Sequence, residues 1–388
     1  MRHTIWNRIV FVIMLLPPAL AQLRPGDPGA AGMSRAGLVR VTDMLESEVR
    51  DRRLGAASIL IARRGTIVLH KGFGHLARQP ESPATEADSV FLVASITKPV
   101  TATAMMILVE RGKVSLSEPV STYLPEFKGG ERSKTRVLDL LAHTSGLPDM
   151  LPENTELRRA HAPLSEFVKR SYTTPLLFTP GTAFRYQSMG ILLAADIVEK
   201  ISGMPLREFE RKEVFEPLGM QNSALGLGRM RIADTVRIQE SGDSSPKDTA
   251  SWGGNSDYWR NMGHPWGGMH TTTKDLGILL QTFLNDGAYS GRRILSPAAV
   301  KAMTSDQNTH LKAPWGIGWA LGRSTVWNEF GDLVSPRTFG HAGASGTVSW
   351  ADPEAQLVCV VLTNRPLSAD GGLFLRLVSN AVAASVEK

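Results

Sequence analysis

Residues 91–116 read FLVASITKPVTATAMMILVERGKVSL and bring a serine and a lysine together where a long apolar run begins. The run continues to Gly112 and predicts a helix that starts near Ser95 and Lys98. Pro99 fits this prediction because a proline in the first turn of a helix loses no internal hydrogen bond. A separation of three residues places the Ser95 and Lys98 side chains on the same side of the helix.

This setting suits a serine nucleophile. A serine hydroxyl is inert unless a base lies beside it, and lysine serves as that base when burial or positive neighbours lower its pKa. The N-terminus of the helix adds unpaired N–H groups and positive potential close to the serine oxygen. The alternative is purely structural, with Ser95 capping the helix and Lys98 extending to water.

The composition of the chain is that of an ordinary globular protein. Of 388 residues, 42% are hydrophobic and 21% are charged, which is ample material for a core. Lys and Arg number 43 against 37 acidic residues, for a net charge of +6, and the basic residues form no cluster. A nucleic-acid partner is therefore not expected.

The N-terminus has the pattern of a cleavable secretory signal. Two arginines precede a short apolar run and the sequence PPALAQ, which predicts a signal peptide over residues 1–21 with cleavage after Ala21. The apolar run is too short for a spanning helix, which needs about 20 residues. We therefore expect a secreted or periplasmic protein with no stable membrane anchor after cleavage. Residues 22–33, QLRPGDPGAAGM, are expected to form a flexible leader.

Strand patterns occur towards both ends of the chain. Residues 58–74, SILIARRGTIVLHKGFG, and residues 346–364, GTVSWADPEAQLVCVVLTN, each indicate two strands around a turn, and helical segments occupy the middle. The simplest architecture is α/β (α+β): the two hairpins share one antiparallel sheet flanked by helices, and a mostly helical lobe is inserted between them. The single cysteine, Cys359, is expected to be a packed apolar residue of a strand.

Five further motifs follow the serine in a fixed order. They are LLAHTSGLPDM at 140–150, FTPGTAFRYQSMG at 178–190, PWGGMHTTTKDLGILL at 265–280, WGIGWALG at 315–322 and FGHAGASGTVSW at 339–350. In this order and spacing the chain resembles the serine β-lactamase/penicillin-binding protein superfamily, most closely its class C β-lactamase-like and family VIII esterase-like branch.

The resemblance implies a β-lactamase/transpeptidase-like fold over residues 34–388. The sheet lobe would comprise about 34–90 and 270–388, and the helical lobe about 91–269. It also implies that Ser95 is acylated, that Lys98 and Tyr186 transfer the proton, and that the backbone N–H groups of Ser95 and Ala344 form the oxyanion hole. No cofactor is implied. No metal site is expected either, because the histidines lack ligand spacing.

One departure from the family pattern bears on the substrate. The family's Lys-Thr-Gly element is replaced by His341-Ala342-Gly343. Neutral imidazole has no fixed charge near neutral pH and alanine has no hydroxyl, so recognition of a substrate carboxylate should weaken. We still assign His341 and Gly343 to the substrate-binding site, with Gly343 allowing close approach of an acyl group.

A second departure lies in the tyrosine motif, where Ser188 stands in the place of asparagine. Serine can still hydrogen-bond Lys98, but it lacks the combined donor and acceptor of an amide. We assign Ser188 to substrate binding together with Trp266, a candidate wall of the acyl pocket. His143 is expected to fix a loop beside the cleft.

These observations predict an exported serine hydrolase that acts on ester or amide bonds through an acyl-enzyme, with esterase activity favoured. Its partner would be a small-molecule or peptide-like acyl substrate. A D-amino-acid peptidase and a β-lactamase are the alternatives within this class. A catalytically silent cell-wall or ligand-binding protein is the alternative of another class.

Overall fold

The computed structural model describes residues 21–79, 81–239 and 246–387. The predicted signal peptide therefore lies outside the described residues, except for Ala21. The strands are β1 Arg24–Pro25, β2 Ala56–Arg63, β3 Thr66–Gly74, β4 Phe91–Leu92, β5 Ala224–Leu225, β6 Met269–Thr271, β7 Ala288–Tyr289, β8 Arg292–Arg293, β9 Ala320–Leu321, β10 Phe339–Gly343, β11 Thr347–Asp352 and β12 Leu357–Thr363. The helices are α1 Arg35–Arg50, α2 Thr97–Glu110, α3 Val137–Leu141, α4 Asn154–Arg159, α5 Leu164–Ser171, α6 Met189–Ser202, α7 Leu206–Glu210, α8 Glu216–Leu218, α9 Pro246–Thr249, α10 Asp257–Met262, α11 Thr273–Leu284, α12 Pro297–Met303 and α13 Leu373–Ala383.

The main sheet unites the two ends of the chain. Its strand order is β1-β3-β2-β12-β11-β10-β9, and β12 lies antiparallel to β2 with Cys359 opposite Ile61. The prediction that both terminal hairpins share one antiparallel sheet flanked by helices is confirmed. The sheet is mixed only at one edge, where β1 runs parallel to β3. Both outermost strands, β1 and β9, are two residues long.

The segment 22–33 differs from the flexible leader expected from its glycine and proline content. Arg24 and Pro25 pair with Thr66 and Ile67 of β3, and Met33 is buried. The Arg63 side chain donates hydrogen bonds to the carbonyls of residues 31 and 32. Backbone pairing and the Arg63 contacts hold the segment on the sheet, and composition alone did not reveal these long-range partners.

Helices cover both faces of the sheet, which explains why every residue of β2 is buried. Helices α1 and α13 pack together on one face, and Leu38 and Val378 belong to the hydrophobic cluster there. Helix α11 covers the other face, and its Gly277 lies close to Leu60 of β2. Cys359 is fully buried within this sheet.

The helical part is centred on α2 and α6, which pack against each other; α2 is almost wholly buried, and α6 is buried along most of its length. A small sheet of order β4-β6-β5 joins its beginning to its end, since Phe91 pairs with Thr271. These strands lie at the lobe boundaries drawn at residues 91 and 269 from the sequence. Chain segments that are far apart in sequence thus meet immediately before Ser95.

Candidate active site

Ser95 lies in a short 3-10 turn, Ala94–Ile96, and the α-helix proper begins two residues later at Thr97. Ala94 has a φ of 46°, in the left-handed region that residues with a side chain rarely adopt. Such strain persists only where surrounding contacts hold it, and it is common beside reactive groups. The turn leaves Ser95 partly exposed while the helix behind it is buried.

Lys98 is fully buried directly beside the serine. Its Nζ donates hydrogen bonds to Ser95 Oγ and to the Trp266 carbonyl oxygen, both at 3.0 Å. Burial lowers the pKa of Lys98 to about 7, against the opposing effect of the Asp149 carboxylate. A large fraction of Lys98 is therefore neutral near physiological pH and able to accept the Ser95 proton.

Tyr186 completes the group. Lys98 Nζ lies 4.8 Å from the centre of its ring, and the Ser95 hydroxyl acts on the pKa of its phenol against the larger effect of burial. Burial raises the pKa of Tyr186 far above its usual value, so the phenol keeps its proton at neutral pH. The structure brings together the three side chains that the sequence assigns to the reaction. Lys98 is thus able to accept a proton near neutral pH, whereas Tyr186 retains its own.

The end of β10 is held tightly against the segment before Ser95. Thr347 Oγ1 donates to the Val93 carbonyl at 3.0 Å, and Ser345 Oγ donates to the Leu92 carbonyl at 2.7 Å. A Cβ on Gly343 would lie 2.0 Å from the Val93 oxygen. The close approach that requires Gly343 is thus to the protein's own backbone, not to an acyl group as the sequence suggested.

Ala344 follows Gly343 and is the exposed residue of the turn after β10. Its carbonyl accepts a hydrogen bond from the Leu367 N–H, which fixes the turn. Since β10 packs against the turn that contains Ser95, the contacts of Thr347 and Gly343 set the distance between the two backbone amides assigned to the oxyanion hole.

His341 does not lie where a substrate could contact it. The side chain is fully buried, its Nδ1 lies 2.6 Å from the Ala342 carbonyl, and the Trp327 ring covers it at 4.8 Å. Burial lowers the pKa of His341 to about 3 and keeps the ring neutral. Trp327 belongs to the connection between β9 and β10 and also stacks on Tyr186. The position that carries lysine in the family's Lys-Thr-Gly pattern is therefore closed as well as uncharged here.

Trp266 also differs from its predicted role as a pocket wall. The indole is 2% exposed and packs among Phe167, Trp259 and His264. Only its carbonyl reaches the site, as the second acceptor for Lys98. The pattern Trp-Gly-Gly indicated a place in the site, but not that the backbone would make the contact.

Ser188 does not hydrogen-bond Lys98. Its Oγ donates instead to Asp149 Oδ1 at 2.7 Å, and its N–H donates to the Asp149 carbonyl at 3.3 Å. Asp149 is exposed, whereas Ser188 is 1% exposed. Sequence reasoning missed Asp149, although the residue lies within the quoted motif LLAHTSGLPDM.

The loop that carries Asp149 also braces the tyrosine segment. His143 Nδ1 accepts the Gln187 N–H at 3.2 Å, and Ser145 Oγ donates to Gln187 Oε1 at 2.5 Å. The His143 ring contacts Tyr186, and burial keeps its pKa well below the ordinary value. His143 therefore positions its neighbours and stays uncharged, in agreement with the loop-fixing role expected for it.

Comparison with known proteins gives the family. The Beta-lactamase family model matches residues 41–381. The chain belongs to the Beta-lactamase family. Among sequence relatives, a Salmonella agona protein whose name provisionally assigns it D-alanyl-D-alanine carboxypeptidase activity is 27% identical over 380 residues, covering 89% of this chain and 87% of the relative.

Several solved structures share the fold. A penicillin-binding protein homologue from Caulobacter crescentus gives a TM-score of 0.76 at 22% identity, covering 91% of this chain and 99% of its own. EstCE1, described as a hydrolase with promiscuous acyltransferase activity, gives a TM-score of 0.74 at 20% identity. The match covers 90% of this chain and 99% of EstCE1. A family VIII carboxylesterase gives a TM-score of 0.72 at 21% identity, and the match covers 90% of this chain and 98% of the carboxylesterase.

Family and site together make this chain a serine hydrolase of the β-lactamase-related type. Within the described ranges, no group of three or more His, Cys, Asp or Glu side chains is arranged to hold a metal ion. None of the helices described is long and apolar enough to cross a membrane.

Proposed function

We propose that this protein is an exported esterase that forms an acyl-enzyme at Ser95. The observation that carries the proposal is the contact of a buried lysine of lowered pKa with the serine hydroxyl, 3.0 Å away. The closed, neutral environment of His341 supports esters without a carboxylate as substrates. The substrate would be a small-molecule or peptide-like acyl compound.

The reaction follows from the contacts. Neutral Lys98 accepts the proton of Ser95 Oγ, the oxygen attacks the acyl carbonyl, and the N–H groups of Ser95 and Ala344 stabilise the oxyanion. Each such donor typically contributes about 3 kcal/mol. As the ester C–O bond breaks, the Tyr186 phenol gives its proton to the leaving alkoxide and recovers one from protonated Lys98. Water then repeats these steps on the acyl-enzyme and releases the acid.

A fluorophosphonate probe tests the nucleophile. We expect it to label the folded wild-type protein and to leave Ser95→Ala unlabelled. Absence of labelling in the folded wild type would overturn the proposal and favour a ligand-binding protein without turnover.

Comparison of substrates tests the esterase assignment. We expect short-chain p-nitrophenyl esters to be hydrolysed with a higher kcat/KM than nitrocefin or a D-alanyl-D-alanine peptide. The peptide is the second candidate because of the carboxypeptidase name of the Salmonella agona relative. Faster turnover of the peptide or of nitrocefin would reject the esterase assignment.

Export has its own test. Mass spectrometry of the protein from its native host should show a mature chain that begins at Gln22, after removal of residues 1–21. Such a chain would retain strand β1. A cell-associated chain that keeps Met1 would contradict export.

A further inference from the structure

The Ser188–Asp149 pair presents an unusual set of hydrogen-bonding groups. A serine hydroxyl has one proton to donate and two lone pairs that accept. Ser188 commits that proton to Asp149 Oδ1 at 2.7 Å. An ionised carboxylate accepts only. Every remaining hydrogen-bonding position of the two side chains is therefore an acceptor, whereas an asparagine amide at position 188 would also have offered N–H donors.

The backbone holds this arrangement in place. The Ser188 N–H donates to the Asp149 carbonyl, so the two residues are joined through both main chain and side chain. The next residue along, Met189, begins the buried helix α6. Asp149 itself is exposed, and the hydrogen bond from Ser188 engages only its Oδ1 atom.

The charge of Asp149 reaches the reacting groups. It opposes the lowering of the Lys98 pKa and contributes to the raising of the Tyr186 pKa. Among the described residues, it is the carboxylate whose charge acts on both of these side chains. His341 at the end of β10 adds no positive charge to oppose it, because the ring is buried and neutral.

We propose that Asp149 and Ser188 form a subsite for a cation or N–H donor on the acyl group, so that the enzyme prefers aminoacyl esters over neutral and anionic ones. The inference rests on the proposed function, since it names the substrate class for that same site. A primary ammonium suits the subsite because it has three donors, no acceptor and a positive charge. An acyl group that presents a carbonyl or a carboxylate here would meet acceptors only.

A series of three p-nitrophenyl esters tests the proposal. Butanoate is neutral, 3-aminopropanoate replaces its terminal methyl by an ammonium of similar size, and hemisuccinate adds an anion. Assays at about pH 8 keep the aliphatic amine protonated while most of Lys98 is neutral. We expect kcat/KM for the wild type to fall in the order ammonium, neutral, anion. An equal or reversed order would overturn the subsite.

Variants then assign the preference to Asp149. Asp149→Asn keeps an oxygen that can accept from Ser188 but removes the charge, and should lower the ammonium-to-neutral ratio of kcat/KM about tenfold, as expected for a charge pair near a protein surface. Asp43→Asn removes an exposed carboxylate on α1 and should leave the ratio unchanged. An unchanged ratio in Asp149→Asn, with butanoate still hydrolysed through Ser95, would overturn this inference alone. If the wild type neither hydrolysed the butanoate ester nor reacted with the fluorophosphonate probe, the proposed function would be overturned instead.

Discussion

Lys98 Nζ and Ser95 Oγ lie 3.0 Å apart at the boundary between the solvent-accessible surface and the core. Lys98 is wholly inside this boundary, and Ser95 is partly outside it. The contact lets the protein place its base in an environment that disfavours charge while the nucleophile remains accessible to substrate. Both the pH dependence of the reaction and the stability of the fold should therefore depend on Lys98.

The rate should increase with pH through about 7 because the pKa of Lys98 lies there and only the neutral amine accepts a proton. Asp149 raises that pKa, so Asp149→Asn should move the midpoint to lower pH. The measurement is kcat/KM for p-nitrophenyl butanoate as a function of pH. A flat profile between about pH 5 and about pH 9, with acylation rate-limiting, would contradict the role of Lys98.

The free energy of unfolding should also depend on pH because Lys98 is buried. Its pKa is about 7 in the folded protein and about 10.4 in an unfolded chain, so the unfolded state binds more protons between these values and wild-type stability rises with pH there. Lys98→Met lacks this dependence. We expect its free energy of unfolding, relative to wild type, to be higher near neutral pH than near pH 10. The difference should be a few kcal/mol at most, because a tenfold change in an acid dissociation constant corresponds to about 1.4 kcal/mol.

Urea denaturation at several pH values measures this difference. Lys113→Met, at an exposed position, is the matched control and should keep the wild-type pH dependence. If the free energies of unfolding of Lys98→Met and wild type changed in parallel with pH, the pKa of Lys98 would not be lowered in the folded protein.

Tyr186→Phe should lower kcat for a simple alkyl ester by about 10²–10⁴, the usual contribution of a positioned proton donor, because an alkoxide leaving group needs that proton. The ring would still stack on Trp327, so the melting temperature should change little. Tyr172→Phe is the control, since it removes a hydroxyl that donates to Asp196 and, among the described residues, forms no hydrogen bond with Ser95 or Lys98. Wild-type activity in Tyr186→Phe would exclude the phenol from proton transfer.

Thr347→Val should separate positioning from stability. It removes the hydroxyl that holds the Val93 carbonyl and should lower kcat more than it changes KM, with a stability loss of about 1–3 kcal/mol. Thr282→Val removes an equally buried hydroxyl that donates to the Ile278 carbonyl in α11. The control should lose similar stability but keep kcat. Equal losses of kcat in both variants would show that Thr347 affects catalysis only through the stability of the fold.

Trp327→Ala should uncover His341 and raise its pKa from about 3 towards the ordinary value. Trp327→Phe keeps an aromatic cover and should preserve the low pKa. Titration of the imidazole protons by NMR measures both. A His341 that stays neutral down to low pH in Trp327→Ala would mean that other residues bury it.

The sequence predicted those features whose physical basis is local or repeated in a recognisable motif. The helix start at residues 95–98 follows from residue types and spacing, and the pairing of the terminal hairpins follows from strand patterns. Trp327 lies in a connection without a motif, so the burial of His341 could not be read from the chain. Burial decides whether an imidazole contacts a ligand or only packs, and burial depends on residues distant in sequence.

The sequence did not reveal the hydrogen-bond partners of several polar side chains either. Ser188 was expected to contact Lys98, because both belong to motifs of one site, but the Asp149 carboxylate is a stronger acceptor and lies within reach. Arg63 binds the carbonyls of residues 31 and 32 and orders a segment whose composition indicates flexibility. Composition describes what a segment can do when alone, whereas these contacts depend on the rest of the fold.

The two-residue strands at both margins of the main sheet affect how the molecule behaves at high concentration. Long unpaired strands expose backbone donors and acceptors on which a second chain can assemble. Here β1 covers part of the nine-residue strand β3, and β9 ends the opposite side with little backbone left to pair. Deletion of residues up to 33 would remove β1 and expose the unpaired backbone groups of β3. The truncated protein should therefore aggregate more readily than the intact one.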